Sequence, residues 1–166
     1  WVGRFTDIKD PAYAVKVVEE LEKLSPGKFE LNMVGGGELL EPIRKIAQHL
    51  PVTFFGWLDK PFENSGHFDL LLLTSKNEGM GLVMLEAANY KKPTVARNVG
   101  GIGEFITDGV NGLLIDGGPA EMANQIKSLK IEDLNKMGEA SYQVLLKDFT
   151  DKVMASHYFN LYKSLI

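Results

Sequence analysis

The chain has 166 residues, enough for one domain with a sizeable core but little room for two. Its 45% hydrophobic and 24% charged residues describe an ordinary globular protein, and a formal net charge of -4 with no basic run argues against a nucleic-acid partner. The absence of cysteine excludes a disulfide framework and a thiolate metal site, and His49, His67 and His157 match no metal-ligand spacing.

Residues 1–3 read as the end of a first strand, and the sudden start on an apolar strand is what a piece of a longer chain would show. No signal peptide is evident there, so the expected setting is the cytoplasm. A polar loop over 4–11 leads into a helix over 13–24, marked by Ala14, Val17, Val18, Leu21 and Leu24 at helical spacing and stopped by Ser25, Pro26 and Gly27. A second strand over 29–34 ends at Gly35, Gly36 and Gly37 before a helix over 39–50. A third strand over 52–55 ends at Gly56 and Trp57, and a polar segment over 61–67 follows.

The apolar run from Leu70 to Leu73 is far short of the roughly 20 residues that cross a bilayer, and its polar borders predict a strand buried on both faces. Next come a helix over 81–90, a strand over 94–96, a loop over 98–101, a short helical piece at 104–106 and a last strand over 112–115. Helices are expected over 120–129, 131–146 and 149–165. Strands alternating with amphipathic helices predict an α/β, Rossmann-like three-layer domain with a mostly parallel sheet.

In such sheets ligands bind beyond the carboxyl ends of the strands, which singles out the turn from Thr74 to Ala87. Gly79 and Gly81 admit a tight turn and bare the first amides of the next helix to an anion. Glu78 precedes that helix, and Glu86 lies about 6 Å of rise beyond Leu82. The two carboxylates either accept hydrogen bonds from sugar and ribose hydroxyls on the two sides of a diphosphate, or serve as a turn cap and a solvated helix residue. Arg4 and Lys9, in the first loop, either offset a diphosphate or are ordinary surface charges.

Gly35 and Gly36 either admit a phosphate or base or form a turn. Trp57 either stacks on a base or contributes to the core. Arg97 reads as a third phosphate contact or as an exposed cation. Ser75 lacks the nucleophile-elbow pattern and no histidine has an evident partner, so covalent serine hydrolysis is disfavoured.

In their order these motifs resemble the C-terminal half of a GT-B, family 4 retaining glycosyltransferase. The resemblance rests on Val2-Gly3-Arg4 with Lys9, Met33 to Gly37, Phe54-Phe55-Gly56, Pro93 to Ala96, Gly100 to Glu104 and Asp108 to Leu114. Most specific is Glu78 to Glu86, which matches the family's two glutamates separated by seven residues. It implies a nucleoside diphosphate sugar as donor and no required metal. Arg4, Lys9 and Glu78 are the expected catalytic set, with neither glutamate a nucleophile.

The resemblance further implies that Glu78 binds the sugar and Glu86 the ribose, and that Gly81, Leu82 and Val83 offer amides to the diphosphate. The turn at Gly79 and Met80 is expected beside the sugar, and Gly56, Trp57 and Leu58 beside the base. The closing segment, 149–166, is expected to pack toward an acceptor-binding N-terminal domain, the second partner besides the donor. Membrane contact, if the whole enzyme makes one, is expected through that domain, and this half alone is expected to transfer almost nothing. A nucleotide-sugar epimerase or hydrolase half, or a noncatalytic domain keeping the fold, is the alternative. Asp10 stands where the family has glycine, Arg97 where it has a small residue, Gly103 where proline is frequent, and 89–92 departs from the usual small residues and glycine.

Overall fold

Every paired strand among the described residues is parallel, as the alternation of short apolar and long amphipathic segments requires. The computed structural model describes residues 1–165, so Ile166, the last residue of the expected closing segment, lies outside the described residues. The strands are β1 (Leu31–Val34), β2 (Val52–Gly56), β3 (Leu71–Leu73), β4 (Thr94–Arg97) and β5 (Gly112–Ile115). The helices are α1 (Pro11–Leu24), α2 (Leu40–Ile46), α3 (Pro61–Asn64), α4 (Leu82–Asn89), α5 (Pro119–Ser128), α6 (Ile131–Asp148) and α7 (Asp151–Ser164).

The hydrogen-bonded strands form two ladders, β1-β2 and β3-β4-β5, where the sequence predicts one sheet. Residues 1–3 run beside β1, with Val2 bridging Val34, and the Trp1 indole links them to the second ladder by donating to Thr74 Oγ1 at 3.0 Å. The β3 register sets Leu71, Leu72 and Leu73 against Thr94, Val95 and Ala96.

Side-chain alternation assigns the two faces. Leu72, Val95 and Ile115 join a core with α1, α2 and α5, whereas Leu71, Leu73 and Ala96 join a second core with Phe62, Met84, Ala87, Ala88, Ile102 and Phe105. A strand buried on both faces is thus confirmed for the leucine run. Each fully buried leucine contributes about 2 kcal/mol through apolar surface removed from water.

Helix α1 starts where Asp10 accepts a hydrogen bond from the Tyr13 amide at 3.2 Å and Pro11 needs no partner. Its buried stripe of Tyr13, Ala14, Val17, Val18 and Leu21 packs against α5. Helix α2 is shorter than its sequence pattern. It ends at Ile46 because Ala47 closes the last turn, and the Leu50 amide bonds to Ala47 O just before Pro51. Helix α7 begins at the Thr150 cap, which accepts from the Val153 amide at 3.3 Å, and buries no residue.

Candidate donor site

The loops that leave the carboxyl ends of the strands meet at one edge, and backbone bonds tie them together. The Phe5 amide donates to Gly36 O at 2.9 Å, Gly35 N to Gly56 O at 2.7 Å, Lys76 N to Ile8 O at 2.8 Å, and Gly101 N to Glu78 O at 2.9 Å. Thr74, fully buried at the end of β3, donates its hydroxyl to the carbonyls of Lys9 and Asp10. The first loop is therefore held against the Glu78 loop before any ligand is considered.

Two close approaches depend on glycine. A Cβ at Gly35, whose φ is +130°, would lie 1.8 Å from Gly3 O, and one at Gly100 would lie 1.9 Å from Glu78 O. Gly35 therefore serves a close contact between two backbones. Gly36 has open space where a Cβ would project.

Across the joined loops, Lys9 and Glu78 form an ion pair. Ser75 Oγ donates to the same glutamate oxygen at 2.7 Å, and the Glu78 side chain is only 9% exposed. Glu78 is thus fixed by a cation and a hydroxyl, and the Ser75 contact is one that sequence reasoning missed. Lys76 pairs with Asp7 at 2.5 Å in the same seam, while Arg4 is exposed and makes no ion pair among the described residues. Helix α4 starts from Gly81, in left-handed conformation, and no side chain caps its first turn. The positive end of its dipole and uncapped amides form a surface suited to an anion.

Further along α4, Glu86 is exposed and borders a cleft of about 660 Å3 with Leu58, Asp59, Lys60, Phe62, Asn89 and Tyr90. The Tyr90 hydroxyl donates to Glu63 at 2.8 Å, a bond that raises the phenol above its ordinary pKa and lowers the carboxyl. The structure brings Leu58 and Glu86 to one cleft. Trp57 is 78% exposed and outside that lining, so it is no part of the core. Asn89 and Tyr90 in the lining belong to the 89–92 departure from the family pattern, whereas Lys60 was missed, because only folding carries the loop after β2 to the side of α4.

Arg97 is half-buried, so it is not the exposed cation that its sequence position offered as one alternative. Its guanidinium bonds Asp10 and Thr74 O, both at 3.3 Å, and lies 4.8 Å from the centre of the Tyr13 ring. A second cavity, about 480 Å3, opens at the other ends of the strands between Val18, Leu21, Leu31, Leu72 and Ile126, and Phe62 lines both it and the cleft. No group of three or more metal-capable side chains occurs among the described residues, and no described helix is long and apolar enough to cross a membrane.

Residues 1–131 match the family described as Glycosyl transferases group 1. The chain belongs to that family. It is 32% identical to N-acetyl-alpha-D-glucosaminyl L-malate synthase of Bacillus anthracis, over 91% of this chain and 40% of that protein. It is 31% identical to an uncharacterized 41.2 kDa protein in the cps region of Klebsiella pneumoniae, over 99% of this chain and 45% of the relative. The group 1 chain therefore spans less than half the length of these two relatives.

Among solved structures, a mutant of S. aureus TarM in complex with Fondaparinux, alpha-GlcNAc-glycerol and UDP superposes with a TM-score of 0.89 at 25% identity, over 96% of this chain and 34% of that one. The C-terminal domain of a group 1 family protein from Francisella tularensis, LpcC, shares the fold with a TM-score of 0.77 at 19% identity, over 90% of this chain and 85% of that one. The Rossmann-like half of a GT-B architecture is thereby established for this group 1 chain, as its motif order implied.

Proposed function

We propose that this chain is the donor-binding half of a retaining glycosyltransferase that moves a sugar from a nucleoside diphosphate to a glycan, lipid-linked or other acceptor. The observation that carries the reading is the meeting of Lys9 and Glu78 beside the uncapped start of α4, with Glu86 farther along the same helix on an open cleft. Membership of the group 1 family and the UDP held by the TarM structure support it.

In this reading Arg4, Lys9 and the amides of Gly81 to Val83 hold the diphosphate. They stabilise the negative charge that grows on it as the bond to the sugar breaks. An ammonium carries three donors, so Lys9 can keep Glu78 while it binds a phosphate oxygen. Glu78, with Gly79 and Met80, faces the sugar hydroxyls. Glu86 takes the ribose, and Gly56, Trp57 and Leu58 flank the base. The acceptor attacks from the face that the diphosphate leaves, and no metal is required.

The whole enzyme adds an acceptor-binding domain, and α7 is the helix that packs toward it. Helix α7 touches α6, buries none of its own residues, and exposes Met154, Tyr158, Phe159, Leu161 and Tyr162. Work in the cytoplasm, with membrane contact left to the other domain, completes the proposal. Calorimetric titration with uridine, guanosine and adenosine diphosphates and their sugars tests it. Binding of one nucleotide series, tighter with the sugar attached, is expected, and no binding in any series would overturn the reading.

A further inference from the structure

Lys9 is followed by a residue in an uncommon backbone state. Asp10 has φ 46° and ψ 59° and is one of three described non-glycine residues with positive φ, the others being Lys60 and Lys91. Aspartate tolerates this conformation better than most residues, but the surrounding structure must hold it there. Its two carboxylate oxygens are used separately. One accepts from the Tyr13 amide at 3.2 Å and caps α1, and the other meets Arg97 at 3.3 Å.

Arg97 is anchored on three sides. It sits at the end of β4, donates to Thr74 O at the end of β3, and packs 4.8 Å from the centre of the Tyr13 ring in α1. Tyr13 in turn donates its hydroxyl to Gly117 O at 2.8 Å, beyond the end of β5. Both members of the pair are largely shielded, with side chains 26% and 20% exposed, so water screens them less than a surface pair. The peptide unit next to Lys9 is fixed as well, because Thr74 Oγ1 lies 3.1 Å from Lys9 O and 3.0 Å from Asp10 O. A rigid strand end thus holds the turn that presents Lys9 to Glu78.

We propose that Arg97 is a positioning residue for the anion-binding lysine, acting through Asp10 to lock the left-handed turn that aims Lys9 into the site. The ligand named here, a diphosphate, rests on the donor-binding reading; the lock itself does not. Two explanations of an Arg97 effect have opposite signatures. If Arg97 acted only as a positive charge near the anion, removing the negative charge of Asp10 would strengthen anion binding. If it acts by holding the turn, removing that charge frees Arg97 and weakens binding.

The test uses the 166-residue chain, inorganic pyrophosphate as probe in calorimetry, and Arg97→Ala, Arg97→Lys, Asp10→Asn and the Arg97→Ala/Asp10→Asn pair. Asparagine keeps the tolerance for positive φ and the cap, so Asp10→Asn removes the ion pair alone. Arg97→Ala and Asp10→Asn are each expected to lower pyrophosphate affinity about fivefold to tenfold, and the double variant no further, as coupled groups behave. Arg97→Lys should lose less, and affinity for free nucleosides should stay unchanged throughout. Stronger binding by Asp10→Asn, or additive losses in the double variant, would overturn the proposal.

Hydrogen exchange over residues 4–10 of the ligand-free chain gives the second readout, and faster exchange in Arg97→Ala is expected there while the rest of the chain keeps its protection. If the unaltered chain binds neither pyrophosphate nor any nucleoside diphosphate, the donor reading fails. The lock is then judged by exchange alone, and unchanged exchange over 4–10 would refute it.

Discussion

Lys9 and Glu78 meet across two loops stitched together by backbone bonds, a buried threonine and a second ion pair, whereas Glu86 and Trp57 stand exposed on the neighbouring side with no side-chain partner among the described residues. In the proposed reading, the diphosphate and sugar side of the candidate site is built in advance, and the nucleoside side is an open cleft. A group that is already ordered loses little freedom on binding, so preorganisation belongs where charge develops, and an open wall suffices for the part of the ligand that only needs holding. The same contrast predicts where substitutions damage the fold and where they damage binding alone.

The largest effect is expected at Gly35. Alanine there adds a methyl 1.8 Å from Gly3 O at a φ that side chains rarely adopt, and roughly 3 kcal/mol or more of stability should be lost in urea denaturation. Gly100→Ala breaks the same side more locally by pushing on Glu78 O, so preference for a sugar nucleotide over the plain diphosphate should fall in calorimetry.

Lys9→Ala should weaken all diphosphate ligands by roughly 1.5 to 3 kcal/mol, the range of a charged hydrogen bond, while nucleoside affinity is unchanged. An equal loss for nucleosides would show that the two sides are not separable. Glu86→Ala sharpens the comparison from the open side. Unfolding free energy should move by less than about 0.5 kcal/mol, since the residue is exposed, while ligands carrying a ribose lose roughly 1.5 to 3 kcal/mol and pyrophosphate loses nothing. Trp57→Ala should have the smallest effect, about 1 kcal/mol of nucleotide affinity with no change in thermal midpoint.

Much of the prepared side was legible in the sequence, because Glu78 and Gly81 lie within one strand-to-helix turn and their relation is set by local geometry. Lys9 was found as a candidate from its loop, but its pairing with Glu78 spans 69 positions and depends on how that loop folds back. The cleft was less legible. Leu58 and Glu86 were both singled out, and Asn89 and Tyr90 lay in a visible departure from the family pattern, yet Lys60 was not, since nothing in its local pattern says that the turn after β2 reaches α4. Trp57 shows the converse failure, an aromatic residue that hydrophobicity assigns equally well to a core and that folding leaves 78% exposed.

Asp10 and Arg97 mark the boundary between the two kinds of knowledge. Each was visible as a departure from the family pattern, at positions 87 residues apart, and each alone read as a disturbance of its own loop. By itself the sequence determined the alternation of strands and helices, the buried leucine strand and the turn carrying Glu78 and Glu86, because periodicity and short-range spacing express them. The division of the strands into two ladders, the Lys9–Glu78 pair and the Asp10–Arg97 pair were decided only by the tertiary structure. Long-range contacts arise when separate strand ends are brought to one edge, and no local pattern encodes which side chains will then face each other.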